Sequence, residues 1–125
     1  LVAIHDGVRP FINSEIIENS FKNAQDKGNA IVCVDSKDSL RKISTRGNEH
    51  VDRSEYKIIQ TPQTFNSSQI KEAYSQEEKS IFTDDASVLE ALGESIHLIE
   101  GDYRNIKITS PEDLIIAEAY LSNSL

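Results

Sequence analysis

The chain has 125 residues, 38% of them hydrophobic, with 13 Lys and Arg against 21 Asp and Glu and a formal charge of -8. That length predicts one domain or part of one, and the acidic balance excludes a general nucleic-acid binder, which needs a basic face for phosphates. No stretch is long and apolar enough to span a membrane, no signal-peptide pattern opens the chain, and the one cysteine allows no internal disulfide, which fits a reducing cytoplasm.

Leu1 to His5 is a short apolar run suited to a strand buried on both faces. Without a methionine or a polar lead-in it reads as an internal strand, so the expectation is a chain that starts inside a domain. Ser14 predicts an N-cap for a helix of about Glu15 to Lys27, with Ile17, Phe21 and Ala24 on one face and Gly28 as its stop. Asn29 to Val34 follows as a second buried strand containing Cys33, expected to be a structural thiol because no activating group is evident nearby. The strand–helix–strand order suggests a right-handed parallel crossover.

From Asp35 to about Ile59 the chain is charged. Strand-like Ser39 to Ser44 and Tyr56 to Ile59 flank Thr45-Arg46-Gly47-Asn48, which predicts a projecting β-hairpin with a polar tip. A disordered insert is the alternative, against which stand the regularly placed Leu40, Ile43 and Val51. Ser67 or Ser68 then caps a helix to about Ser75, and Thr83 caps another ending at Gly93, with Asp84 and Asp85 in its first turn. Ile96 to Ile99 and Ile106 to Thr109 read as strands, and Ser110-Pro111-Glu112-Asp113 starts the last helix. The expected fold class is an α/β sandwich with a projecting arm.

Asp6 directly follows a predicted buried strand, at the edge where open α/β sheets bind ligands. A carboxylate there either holds Mg²⁺ whose remaining positions are filled by phosphates and water, or caps a turn beside Gly7. Arg9 offers a planar bidentate donor to phosphate, and His5 reads as a packed or turn histidine. Lys107 alternates with Ile106 and Ile108, so it is either a solvated lysine or a site cation on the opposite face. Arg53 is by default a surface charge, Thr61 a turn residue and Thr83 an N-cap whose helix start could face an anion. An anionic ligand here requires a locally basic pocket. His50 and His97 lack metal-ligand spacing, and no G-x-S-x-G or Walker A pattern occurs.

Five segments in order carry a resemblance: His5-Asp6-Gly7-Val8-Arg9-Pro10, Val51-Asp52-Arg53, Thr61-Pro62-Gln63, Thr83-Asp84-Asp85-Ala86-Ser87 and Asn105-Ile106-Lys107-Ile108-Thr109. From the first residue to about Leu121 the chain resembles the 2-C-methyl-D-erythritol 4-phosphate cytidylyltransferases. The resemblance implies a Rossmann-like nucleotidyltransferase sandwich, truncated at its N-terminus, with residues 1–125 as the C-terminal part of a single domain. It implies a β-arm at about 35–59 that is exchanged in a homodimer, CTP as co-substrate, Mg²⁺, and a cytoplasmic enzyme.

By matching motif, Asp6 looks like the metal-contacting aspartate beside the CTP phosphates. Gly7 stands near the nucleotide, where alanine is common. Arg9 resembles the sugar-phosphate contact, and Ser39 an arm position usually held by threonine. Arg53 and Thr61 resemble arm-side residues that reach the partner's substrate. Thr83 and Lys107 resemble further substrate contacts, with Lys107 also near the nucleotide phosphate. Arg53 and Lys107 would carry the catalytic positioning.

The family's Gly-rich loop, with its arginine and lysine, has no counterpart in these residues, so the 125-residue chain alone is expected to be inactive. A ribitol-5-phosphate cytidylyltransferase is the nearest alternative, because Val8 fits that sister family. Thr83-Asp84-Asp85-Ala86-Ser87 and Pro111-Glu112-Asp113-Leu114 favour the methylerythritol enzymes. A non-catalytic dimerisation module is the second alternative, and the presence of Arg9, Lys107 and the acid pair stands against it.

Overall fold

The computed structural model describes residues 1–123. One strand–helix–strand unit of the expected kind opens the chain. Strand β1 (Val2–Ile4) leads through a turn to helix α1 (Ser14–Lys27), then to β2 (Asn29–Asp35). Gly28 closes α1 at φ 97°, a left-handed conformation that glycine adopts without a Cβ penalty, and its N–H caps Ala24 O. The N-cap is Asn13 rather than Ser14. Asn13 lies in extended backbone, where its amide oxygen reaches the Ile16 N–H.

The largest departure follows β2. The arm is a two-stranded sheet of β3 (Arg41–Ser44) and β4 (Gly47–His50), in which every residue is exposed. Tyr56 to Ile59 is not its return strand. Lys57–Phe65 is one long strand, β5, which runs antiparallel between β1 and β2. Ile58 and Ile59 pair with Val34 and Cys33 of β2, so this apolar pair belongs to the main sheet. The hairpin proper therefore occupies 41–50, narrower than 35–59.

The sheet order is β1-β5-β2-β6, with β6 (Leu98–Glu100) parallel to β2. β1 and β2 point the same way, as expected of a crossover, but β5 lies between them and makes the sheet mixed.

Alternation along β5 sets the layers. Thr64 points to α1, where its hydroxyl meets Ser20. Phe65 points the other way, into a core with Ile31, Ile70, Ala73, Ala86, Val88 and Leu89. That core joins the sheet to α2 (Ser67–Ala73) and α3 (Asp85–Glu90). Phe65 is fully buried, and truncating such a ring to alanine costs about 3–5 kcal/mol. The sandwich is thus α1 on one face and α2 with α3 on the other.

Two further helix starts differ by one residue or so from expectation. Asn66, not Ser67 or Ser68, caps α2, and Asp84, not Thr83, caps α3 through a capping box with Ser87. Both winning residues have planar side chains with an acceptor that reaches two or three residues ahead. Ser110 does cap α4 (Pro111–Ser122), with Pro111 at the start and Asp113 closing the box.

Ile106 to Thr109 is not a strand. It is an extended segment tied to the post-β1 turn by Ile108 N–H to Val8 O at 2.9 Å. The alternation survives without a ladder, with Ile106 and Ile108 half-buried and Lys107 exposed.

Candidate active site

β5 departs from regular pairing where it passes Val32. Ile31 faces Gln63 and Cys33 faces Ile59, so Gln60, Thr61 and Pro62 stand against a single residue of β2. Bulges of this kind bend a strand and re-aim its side chains. Proline, which has no N–H for the ladder, is tolerated there. Thr61-Pro62-Gln63 is therefore a mid-strand bulge in the chain's own sheet, and neither a turn nor part of the arm. The Thr61–Pro62 peptide is cis.

The bulge meets the end of β1. Thr61 Oγ1 accepts the Asp6 N–H at 3.0 Å and lies 2.8 Å from His5 Nδ1. His5 Nε2 lies 2.9 Å from Arg9 O, which can only accept, so Nε2 carries the proton and the Thr61 hydroxyl donates to Nδ1. Arg9 is buried. Its Nε donates to Asp6 Oδ2 at 3.0 Å and its Nη1 to Asn105 O at 2.8 Å. Gln63, 1% exposed, reaches the other way. Its amide donates to Asp84 Oδ2 at 3.1 Å and accepts the Ala86 N–H at 2.9 Å, which fixes the start of α3 against β5.

These contacts shape an open cleft of about 810 Å³, lined among others by Asp6, Arg9, Thr61, Thr83 and Lys107. Five of the eight sequence candidates thus share one cleft. Gly7 sits in the exposed turn beside Asp6, and a Cβ built on it meets nothing within 4 Å, so alanine fits there as well. Ser39 and Arg53 do not line the cleft. Both are exposed at the root of the arm, where the Arg53 guanidinium donates to Lys37 O. Lys37 in turn lies 3.9 Å above the Tyr103 ring.

The cleft is not basic. Asp6, Glu78, Asp84 and Asp85 line it against Arg9 and Lys107, which corrects the expectation of a basic pocket. The acids are largely occupied. Asp6 holds Arg9, Asp84 accepts Ser87 N–H and Gln63, and Asp85 accepts the Tyr74 hydroxyl. Partial desolvation, and then the carboxylate of Asp85, push the half-exposed Tyr74 phenol up to about 12. Among the described residues Lys107 makes no salt bridge.

Mg²⁺ finds one suitable group here. Asp6 Oδ1 accepts no hydrogen bond from the described residues, and Mg²⁺ is commonly held by one or two carboxylates together with substrate phosphates. No group of three His, Cys, Asp or Glu among the described residues could hold a metal unaided. The residues therefore fit a metal shared with a phosphate ligand. Cys33 is buried, and burial raises its thiol above the ordinary value, as expected of a structural cysteine.

Sequence reasoning missed Gln63 and Asn105 as residues that hold the site. Gln63 stands in a quoted motif, but its partners on α3 are 21 and 23 residues away. Asn105 opens another motif and is fully buried.

The mixed α/β sandwich, with polar residues gathered at one edge of its sheet, is of the nucleotidyltransferase-like class, as its structural neighbours are. The family model for 2-C-methyl-D-erythritol 4-phosphate cytidylyltransferase matches residues 1–123, and the chain belongs to that family. A relative of that name from Bacteroides thetaiotaomicron is 49% identical over 121 residues, covering 97% of this chain and 55% of the relative. The crystal structure of the Thermus thermophilus 2-C-methyl-D-erythritol 4-phosphate cytidylyltransferase aligns with a TM-score of 0.85 at 31% identity, over 97% of this chain and 61% of that one. The 4-diphosphocytidyl-2C-methyl-D-erythritol synthase of Anaerococcus prevotii aligns with a TM-score of 0.87 at 34% identity, over 98% and 58%. The chain spans about half the length of the curated relatives it matches.

Proposed function

We propose that the chain carries the acceptor side of a cytidylyltransferase site that transfers the cytidylyl group of CTP to 2-C-methyl-D-erythritol 4-phosphate. The observation that supports this reading is the convergence of Asp6, Arg9, Thr61, Thr83 and Lys107 on one cleft beside the end of β1. A phosphate oxygen of the sugar phosphate attacks the α-phosphorus of CTP. The bond to the bridging oxygen breaks, and pyrophosphate leaves with the electron pair. The nucleophile is already anionic, so no general base is needed, and the protein's task is alignment and charge neutralisation.

Lys107, free of a carboxylate partner among the described residues, neutralises and positions the attacking phosphate and reaches the nucleotide phosphate. Arg9 is held by Asp6 and Asn105 and presents its remaining N–H groups to the sugar phosphate. Thr61 and Thr83 add polar contacts in the cleft, Ser39 adds one from the arm root of the second subunit, and Gly7 lets the nucleotide approach the main chain. Asp6 Oδ1 would hold Mg²⁺, which when bound draws charge from the phosphates.

Arg53 acts from the arm of a second subunit in a homodimer formed by arm exchange. Its exposure at the arm root and its absence from its own cleft support an action in trans. Four carboxylates on the cleft make a cation from outside the chain useful there. Residues 1–125 act as one unit of a cytidylyltransferase domain, and the setting is the cytoplasm.

The test is pyrophosphate release by a protein of the relatives' full length that carries this sequence, with CTP and Mg²⁺. Turnover is expected with methylerythritol phosphate and at least tenfold less with ribitol 5-phosphate. The reverse preference would assign the chain to the sister activity, and no turnover with either would overturn the reading.

A further inference from the structure

Asn105 is fully buried and bonds the bulge of β5 and Arg9 without lining the cleft. Its Nδ2 donates to Thr61 O at 2.8 Å and to Gln60 Oε1 at 3.2 Å. Its main-chain carbonyl accepts Arg9 Nη1 at 2.8 Å, and its main-chain N–H is anchored on Asp102 O at 3.0 Å. Gln60 Nε2 bonds the same Asp102 carbonyl. The contacts close into a circuit: Asp6 carboxylate to Arg9, Arg9 to Asn105, Asn105 to Thr61, and Thr61 hydroxyl back to the Asp6 N–H. Lys107 is two residues further along the same extended segment.

A bulge leaves main-chain groups without ladder partners, and here the freed Thr61 carbonyl goes to Asn105. Asparagine suits the position because two acceptors face its amide nitrogen, one a main-chain carbonyl and one a side-chain amide oxygen. Aspartate would set a carboxylate against both of them. A hydroxyl has one proton and could serve only one. Asn105 Oδ1 itself has no partner among the described residues. The donor end of the amide therefore makes all its side-chain bonds.

We propose that Asn105 is a positioning residue for the reaction, setting the Arg9 guanidinium and the Thr61 bulge in the geometry that receives the sugar phosphate. The inference rests on the functional reading above. Asn105 touches no substrate and acts through Arg9 and Thr61. Removal of its side chain frees the 105–107 segment and lets Arg9 turn away from the cleft, while the groups assigned to CTP are less disturbed.

The test compares Asn105→Ala and the milder Asn105→Ser in a protein of the relatives' full length carrying this sequence. The KM for methylerythritol phosphate is expected to rise at least tenfold in the alanine variant and less in the serine variant, with the KM for CTP within about twofold. In a double-mutant cycle the alanine change should cost far less on an Arg9→Ala background, because the two act on one contact.

A second readout does not depend on turnover. Exchange of the Arg9 Nε proton, followed by NMR, is slow in the parent sequence if the circuit holds, and is expected to quicken at least tenfold in either variant. Additive effects in the cycle, equal losses for both substrates, or an unchanged Arg9 exchange rate would overturn the proposal. If the parent sequence shows no turnover, the functional reading has failed, and the exchange rates alone decide the role of Asn105.

Discussion

Arg9 and Arg53 are both assigned to phosphate, yet the fold treats them in opposite ways. Arg9 is 9% exposed, paired with Asp6 and bonded to Asn105. Arg53 lies exposed on a short 3-10 turn, and its guanidinium donates to Lys37 O at the root of the arm. The first is ordered before any ligand arrives, so binding there carries little entropic cost. The second belongs to a hairpin whose residues are all exposed, and two-stranded hairpins are marginal until something packs on them. On the proposed reading, the contrast separates a preformed half of the site from a half that would gain its order from a second subunit.

The largest expected effect falls on the preformed half. In a protein of the relatives' full length, Lys107→Ala should lower turnover about a hundredfold, or ~3 kcal/mol of lost transition-state stabilisation. Steady-state kinetics with both substrates would check it. A loss under threefold would remove Lys107 from the catalytic scheme.

Gly101 sharpens the comparison through stability. A Cβ there would stand 2.6 Å from Val32 Cγ1 and 2.7 Å from Gln60 Oε1, beside the bulge. Gly101→Ala should therefore cost about 1–3 kcal/mol by overpacking, seen as a lowered urea midpoint. Gly47, in the arm, has φ 121° and open space around it. Gly47→Ala strains the hairpin turn but should leave the midpoint of the main transition within error, because the arm adds little to the core. Equal shifts for the two would mean that the arm is coupled to the body more tightly than its exposure indicates.

Arg53→Ala comes next. It should raise the KM for the sugar phosphate by about tenfold, ~1.4 kcal/mol, with little change for CTP and none in thermal midpoint. Removal of residues 41–50 should turn a dimer into a monomer by light scattering. A shortened protein that stays dimeric would take the arm out of the interface.

The smallest effect is a titration. Tyr74 has its phenol raised to about 12 by partial desolvation and by Asp85. Its folded pKa exceeds the unfolded value of about 10, so its contribution to stability is complete below pH 10 and fades as pH rises toward 12. Phenolate absorbance should show a late-titrating component, and Tyr74→Phe should remove it.

The preformed half was also the more legible in the sequence, though unevenly. Asp6 was recognisable because a carboxylate directly after a short apolar run sits at the edge of a sheet, and Ser110-Pro111 because its cap signals are local. β5 was not. Pro62 inside Lys57–Phe65 reads as a break, while the bulge that accommodates it exists only opposite Val32 of another strand. Asn105 was hidden for the same reason, since its partners at Gln60 and Thr61 lie 45 and 44 residues away. In the arm, Ile58 and Ile59 looked like hairpin residues until their pairing with Val34 and Cys33 drew them into the main sheet. Interactions within a few residues left a trace in the sequence, and those closed by the sheet did not.

If the two halves of the site come from two chains, mixed dimers will regain activity that neither parent dimer has. Arg53→Ala and Lys107→Ala proteins of the relatives' full length, each nearly inactive under sugar-phosphate limitation, are combined in equal amounts and allowed to exchange subunits. Random pairing makes about half the dimers mixed, each with one intact site, so activity should recover to roughly a quarter of the parent value. A mixture no more active than the average of its two components would contradict the account and return Arg53 to its own subunit or to no role at all.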